Sequence, residues 1–272
     1  MRYESTAYLT VIDWPPGMVE SERISVLVDC AGMDAFQAKL ATRRNTPGIM
    51  CEIDAAFRER IVNAIHARGV LCIAPTHDEI DLYPDAEMAM GVEQFPDADP
   101  PRFVVNCENQ QPWTFTSEQV WLIVVGRLRA TKMHVEVDSP GMGYQHWGRD
   151  AFDLGHESVP IRQTHTRIRP VIDLHIRSDR GPRLVRLIGM RTRIGIVGES
   201  GPPALIDQAP GIDLIEALMP GVRIDREFLD FDPPHSLRRI ANKRGGDSRV
   251  DKPEYWSFYS PWVAQIRMAM GD

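Results

Sequence analysis

The sequence predicts an α+β protein, with a small β-α-α-β-α-β domain followed by a mainly antiparallel β domain that closes on a helix. Three observations carry this. Up to about residue 75, helical apolar stripes alternate with short apolar runs. From Phe103 onward the apolar residues recur every second position. Between them in character stands Val120-Trp121-Leu122-Ile123-Val124-Val125-Gly126-Arg127-Leu128, which is apolar on both alternating faces. A strand with two apolar faces belongs in the middle of a core.

In order, Tyr8–Ile12 reads as a strand ended by Asp13-Trp14-Pro15-Pro16-Gly17, because proline cannot continue the ladder. Glu20–Cys30 reads as a helix with Ile24, Leu27 and Val28 on one side and Gly32 as its stop. Asp34 caps a second helix running to about Arg44, with Phe36, Ala38 and Leu40 partly buried, and Pro47-Gly48 breaks it. Ile49–Ile53 is a strand. Asp54 then caps the helix Ala55–Arg68, whose stripe is Phe57, Ile61, Ala64 and Ile65. Gly69 ends it before the strand Val70–Ile73. Residues 76–102 are acidic and hold Pro84, Pro96, Pro100 and Pro101, which marks them as a linker.

In the second domain, 103–232, strands are expected at Phe103–Cys107, over the central stretch, and around Met133, Val135 and Val137. Others are expected around Ile172, Leu174 and Ile176, at Leu184–Ile188 after the turn Asp179-Arg180-Gly181, and at Thr192–Val197. Residues 139–160 read as a long loop. Ile212–Met219 reads as a short helix ended by Pro220-Gly221. Residues 233–272 read as a basic linker around Gly245-Gly246 and an aromatic docking tail.

The stretch Gly32-Met33-Asp34-x-x-x-Ala38-Lys39, with Ala67-Arg68-Gly69-Val70 before the last strand, resembles two related small folds. These are the C-terminal domain of the bacterial ribosomal stalk protein and the adaptor that delivers substrates to Clp proteases. The resemblance implies a protein-binding domain without catalysis. The adaptor's Asn-Asp-Asp run after its first strand, which grips a substrate's amine, is replaced here by Ile12-Asp13-Trp14, so that function does not transfer. Strands followed by one helix over 103–220 are similar in topology to the pleckstrin-homology-like barrel, which implies binding of a lipid, peptide or partner protein.

With 43% hydrophobic and 25% charged residues the chain has a globular composition, and its net charge of -7 argues against wholesale nucleic-acid binding. No basic-then-apolar leader, transmembrane run or Cys-x-x-Cys pair is seen, so a cytoplasmic protein with reduced cysteines is expected. No cofactor is expected either: Gly141-Met142-Gly143 lacks the remaining dinucleotide glycine, and Ser200 lacks the second glycine of a nucleophile turn.

The charge is unevenly spread: residues 1–102 hold 9 basic and 17 acidic side chains, and residues 127–193 hold 13 basic and 7 acidic. Arg167, Arg169, Arg177, Arg183 and Arg186 are candidates for an anion, whether nucleic acid or lipid headgroup, or for pairing with acidic groups of this or another subunit. Five of the eight histidines fall between 134 and 175. His134 with Glu136 and Asp173 with His175 would make a metal site, and a metal-dependent hydrolase, if their strands are neighbours. Within the acidic linker, His77-Asp78-Glu79 sets three ligand-type residues side by side. Tyr255, Trp256, Phe258, Tyr259 and Trp262 crowd into eight positions, and such a segment docks on its own chain or on a partner. The leading expectation is a non-enzymatic adaptor or assembly protein that binds another protein or its own copies. The metal hydrolase and the anion-binding module are the alternatives.

Overall fold

The computed structural model describes residues 6–108, 110–136, 161–179, 181–189, 191–197, 204–205, 210–243 and 252–271, without the side chains of 130–136, 161–167, 204, 210–211 and 240–243. The fold is α+β. The chain divides into two compact units, one of Met1–Leu128 with Arg169–Asp272 and the other of Arg129–Ile168. The second unit holds the continuations of two long strands. The expected loop at 139–160, Ser200 and Gly141-Met142-Gly143 lie outside the described residues.

The first unit starts with β1 (Thr6–Asp13), α1 (Glu20–Ala31), α2 (Ala35–Ala41), β2 (Gly48–Asp54), a tight turn of 3-10 helix at Ala55–Phe57, α3 (Arg58–His66) and β3 (Leu71–Ile73). This is the expected order. Its caps are also as expected: the Asp34 carboxylate accepts from the Phe36 and Gln37 amides, and Gly32 closes α1 in the left-handed conformation at φ 70°. The three strands form an antiparallel sheet in the order β2-β1-β3. Two side-chain expectations are corrected. Phe36 is 70% exposed and Leu40 is also exposed, because α2 is only two turns long and buries Ala38 and Ala41 instead. Phe57 is exposed because the chain is in the 3-10 turn there and has not yet entered α3.

Residues 76–102, expected as a linker, carry α4 (His77–Asp81) and β4 (Glu87–Phe95). All four prolines lie outside β4, so none breaks it. Its alternation is hidden by an irregularity at Met90, where the register shifts, so that the buried residues are Ala89, Val92 and Gln94.

β5 (Arg102–Cys107), β6 (Trp113–Thr116), β7 (Val120–Glu136), β8 (Ile161–Ser178), β9 (Gly181–Ile188), β10 (Arg193–Ile196), β11 (Ala204–Leu205) and β12 (Arg223–Asp225) follow, with α5 (Pro210–Leu218) before β12. With β4 they build a sheet in the order β11-β10-β4-β9-β8-β7-β12, extended by β5 and β6 from β4. The sheet is mixed: β4 runs parallel to both β9 and β10, and β12 runs parallel to β7. β7 lies one strand in from the edge, beside the short β12, and is buried on both faces, as its two apolar faces require. Ile123 and Val125 join the core under α5, while Leu122 and Val124 join a second core on the other face.

That second core is filled by α7 (Pro253–Met270), which follows α6 (His235–Lys243). The expected basic linker and tail are therefore largely helical. Pro253 occupies the first turn of α7, where its missing N–H costs nothing, and Gly271 at φ 80° closes the helix. The five aromatics expected to dock are all buried against their own chain. They pack on Tyr8 and Ile12 of the small sheet, on Leu122 and Val124 of the large one, and on Phe228 and Phe231 between. Around the helix, buried hydrogen bonds set its register: Trp262 Nε1 donates to Thr10 Oγ1 at 3.0 Å, and Tyr259 Oη donates to Asp225 Oδ1 at 2.6 Å. At Gly126 of β7 the backbone lies so close to α7 that a Cβ would stand 2.3 Å from Cζ3 of Trp256. Among the described residues, no helix is long and apolar enough to cross a membrane.

Candidate functional site

One side of the first unit carries an open cleft of about 810 Å³. Its walls are α3 (Val62, His66), β3 and the turn after it (Cys72, Ile73), the end of α4 (Leu82, Tyr83), and α7 (Gln265, Met268). Local chemistry fixes these walls. Thr76 caps α4 by accepting from the Glu79 amide at 3.1 Å, while the Glu79 carboxylate accepts from the Thr76 amide at 2.8 Å. Arg58 of α3 then reaches across to the same carboxylate at 2.6 Å. Partial burial pushes the Glu79 pKa upward, but the Arg58 and Thr76 hydrogen bonds outweigh it and hold the carboxyl below its ordinary value. Gln265 of α7 donates to the Glu79 carbonyl at 2.9 Å, tying the two helices together.

Several polar groups of the cleft are engaged with the protein itself. His66 Nε2 lies 2.8 Å from the Cys72 carbonyl. Burial pushes the Cys72 thiol up to about 12, so it stays protonated near neutral pH and is no nucleophile. The cleft exposes apolar side chains, with Leu82 80% exposed and Met268 half exposed, along with the polar Glu59 and Asn63. The His77-Asp78-Glu79 run does not converge on one point, because His77 turns inward to the Tyr8 hydroxyl at 2.9 Å while Glu79 faces Arg58.

The strands that carry the metal candidates, β7 and β8, are neighbours in the sheet. Asp173 and His175 share a face of β8, but Asp173 is fully buried and clasped by Arg186, Nε to Oδ1 and Nη2 to Oδ2, both at 2.8 Å. His175 is also fully buried, with Nδ1 2.7 Å from the Tyr83 hydroxyl and Nε2 3.0 Å from Ser260 Oγ. Among the described residues no three ligand-type side chains gather. The side chains of His134 and Glu136 lie outside the described residues.

Burial pushes the His175 pKa down to about 4, with Asp173 opposing the shift and Arg186 adding to it. The imidazole is thus neutral, with one ring nitrogen donating and the other accepting in its bonds to Tyr83 and Ser260. Since the folded-state pKa lies below the unfolded value of 6.5, the stabilisation is complete above pH 6.5 and falls as the pH drops toward 4. The expected loss is about 3 kcal/mol across that window. Urea unfolding of wild type and His175→Gln at several pH values checks this: the wild-type advantage should shrink with falling pH, and a constant difference would contradict it.

Two of the arginine candidates are engaged by carboxylates of their own sheet, while Arg177 is exposed. Arg183 grips Glu87 through Nε and Nη2 at 2.7 and 2.6 Å and stacks 3.4 Å over the Trp113 ring. Arg186 holds Asp173. Arg177 lies 5.8 Å from the centre of the Trp121 ring, and Arg169 is half-buried. The side chain of Arg167 lies outside the described residues. The positive stretch noted in the sequence thus neutralises carboxylates of its own sheet at Arg183 and Arg186. Sequence reasoning missed the cleft because its walls come from residues 58–84, 182 and 265–268, and no local pattern joins them.

No family model matches the chain, and neither a curated protein nor a solved structure matches it.

Proposed function

We propose that the protein is a non-enzymatic interaction protein that docks an apolar stretch of a partner polypeptide in the cleft between α3, α4 and α7. The observation that carries this reading is Leu82, a cleft-lining side chain left 80% exposed beside a half-exposed Met268. Isolated exposed apolar residues are ordinary, but two lining one cleft are a recognition feature. The cleft is shallow and open. A small molecule needs most of its surface enclosed, whereas a polypeptide can lay a few side chains into such a groove. Arg58, Glu79 and Gln265 at its edge are already partnered, and the apolar contact of the occupant falls on Leu82 and Met268. The three-residue β3 offers little edge for strand addition, and its Cys72 carbonyl is taken by His66.

The test uses peptides selected from a random displayed library on the full chain. The expected selection is of apolar sequences whose binding falls at least about tenfold on Leu82→Asp/Met268→Asp, two exposed substitutions that leave the core alone. Selection of polar peptides, or undiminished binding to the double variant, would overturn the proposal.

A further inference from the structure

Helix α2 presents an apolar side that its own chain does not cover. Phe36 is 70% exposed, and Leu40, one turn on, is 48% exposed. Residues four apart share one side of a helix and the residue three on stands beside them, so Lys39, also exposed, joins that side. The opposite side anchors the helix, with Ala38 and Ala41 buried against the same core as Val26 and Leu27 of α1. The result is a convex ridge of two large apolar side chains beside a positive charge.

The cleft between α3, α4 and α7 complements that ridge in shape and in charge. It is concave, and Leu82 and Met268 stand in it, 80% and 51% exposed. Arg58 in its wall is already bound to Glu79, so the exposed Glu59 next to it leaves a net negative charge there. The α4 wall adds the exposed Asp78 and Asp81. Ridge and cleft also lie toward opposite edges of the small sheet, whose order is β2-β1-β3: α2 packs beside β2, and α3 beside β3. A chain therefore cannot seat its own α2 in its own cleft, but a second copy can. Pairing α2 with α2 would bring two Lys39 side chains together, and two concave clefts cannot fill each other.

We propose that the occupant of the cleft is α2 of a second copy of this chain. Phe36 and Leu40 of one copy pack on Leu82 and Met268 of the next, and Lys39 approaches Glu59. The two faces differ, so the contact is head-to-tail, and a dimer still carries one free ridge and one free cleft. This inference rests on the reading of the cleft as a polypeptide site and names its partner. A helix of seven residues covers less area than a standard interface, so the association is weak.

Analytical ultracentrifugation of the full chain, up to about millimolar concentration, tests this. The mass of the wild type is expected to rise with concentration. Phe36→Asp and Leu82→Asp/Met268→Asp alter exposed side chains alone, and each is expected to weaken the association at least about tenfold. An equimolar mixture of the two variants is the sharper test. The first keeps an intact cleft and the second an intact α2, so the mixture should restore a 1:1 dimer and nothing larger. That recovery also shows that both variants fold. A monomeric wild type, association that survives either substitution, or a mixture that stays monomeric would overturn the proposal. If the wild type is monomeric and library peptides still bind the cleft, this inference alone falls; if nothing binds there, the polypeptide reading falls with it.

Discussion

Gly126→Ala is expected to destabilise the protein by about 3 kcal/mol or more, a large effect for the addition of one methyl group to a strand. The added Cβ would lie 2.3 Å from Trp256 Cζ3, 2.9 Å from Cε3 and 3.1 Å from Phe228 Cδ1. All three neighbours are ring carbons in rigid side chains, and both rings are fully buried, so neither can swing into solvent. Trp256 is the largest fully buried side chain among the described residues and stands edge-on to Phe228, ring centres 4.9 Å apart. Relief requires β7 or α7 to move, and each is packed on several sides. The companion change Trp256→Leu removes the obstructing ring and by itself costs about 2–4 kcal/mol, mostly through the void it leaves. In the double variant the alanine methyl enters that void, so the two costs should fall short of their sum. Chemical unfolding followed by far-ultraviolet circular dichroism measures this. Strict additivity, or a Gly126→Ala variant as stable as wild type, would show that the close approach of β7 and α7 is not a constraint.

Arg186→Leu is expected to cost about 3–5 kcal/mol, because it strands the fully buried Asp173 carboxylate without its counter-charge. The two residues face each other directly across β8 and β9, and both oxygens of the carboxylate are used. The pair itself is not a large source of stability, since both ions were removed from water to form it. Asp173→Leu/Arg186→Leu should therefore recover most of the loss. A single variant within about 1 kcal/mol of wild type, or a double variant no better than the single, would contradict this reading.

How legible each element was depends on whether its burial leaves a local pattern. β7 was legible because a strand enclosed on both faces is apolar at nearly every position. The small sheet and its helices were legible because proline, glycine and Asp34 or Asp54 punctuate them. α7 was not, for a related reason: a helix enclosed almost all round has no polar face, and Pro261 in its middle argues against a helix. β4 was lost to the irregularity at Met90. The charged residues were visible, but their partners were not. Nothing in the sequence near Arg183 or Arg186 indicates Glu87 or Asp173, because strand order decides who faces whom. The spacing of Asp173 and His175 correctly put them on one face, but that face turned out to be a sealed core in which Tyr83, Ser260 and Arg186 take up their hydrogen bonds. The proposed cleft was the least visible, since it is assembled from three distant segments.

The position of α7 between the two sheets also bears on how the chain matures. Trp262 bonds to Thr10 across 252 residues. During synthesis the inner face of β1, with Tyr8 and Ile12, emerges long before the helix that covers it. Until then that face and its counterpart on β7 are exposed apolar surfaces in the growing chain, open to contact with each other or with other chains. Closing so long a loop before its contacts form is slow, so completion of the core becomes a late event after translation of α7.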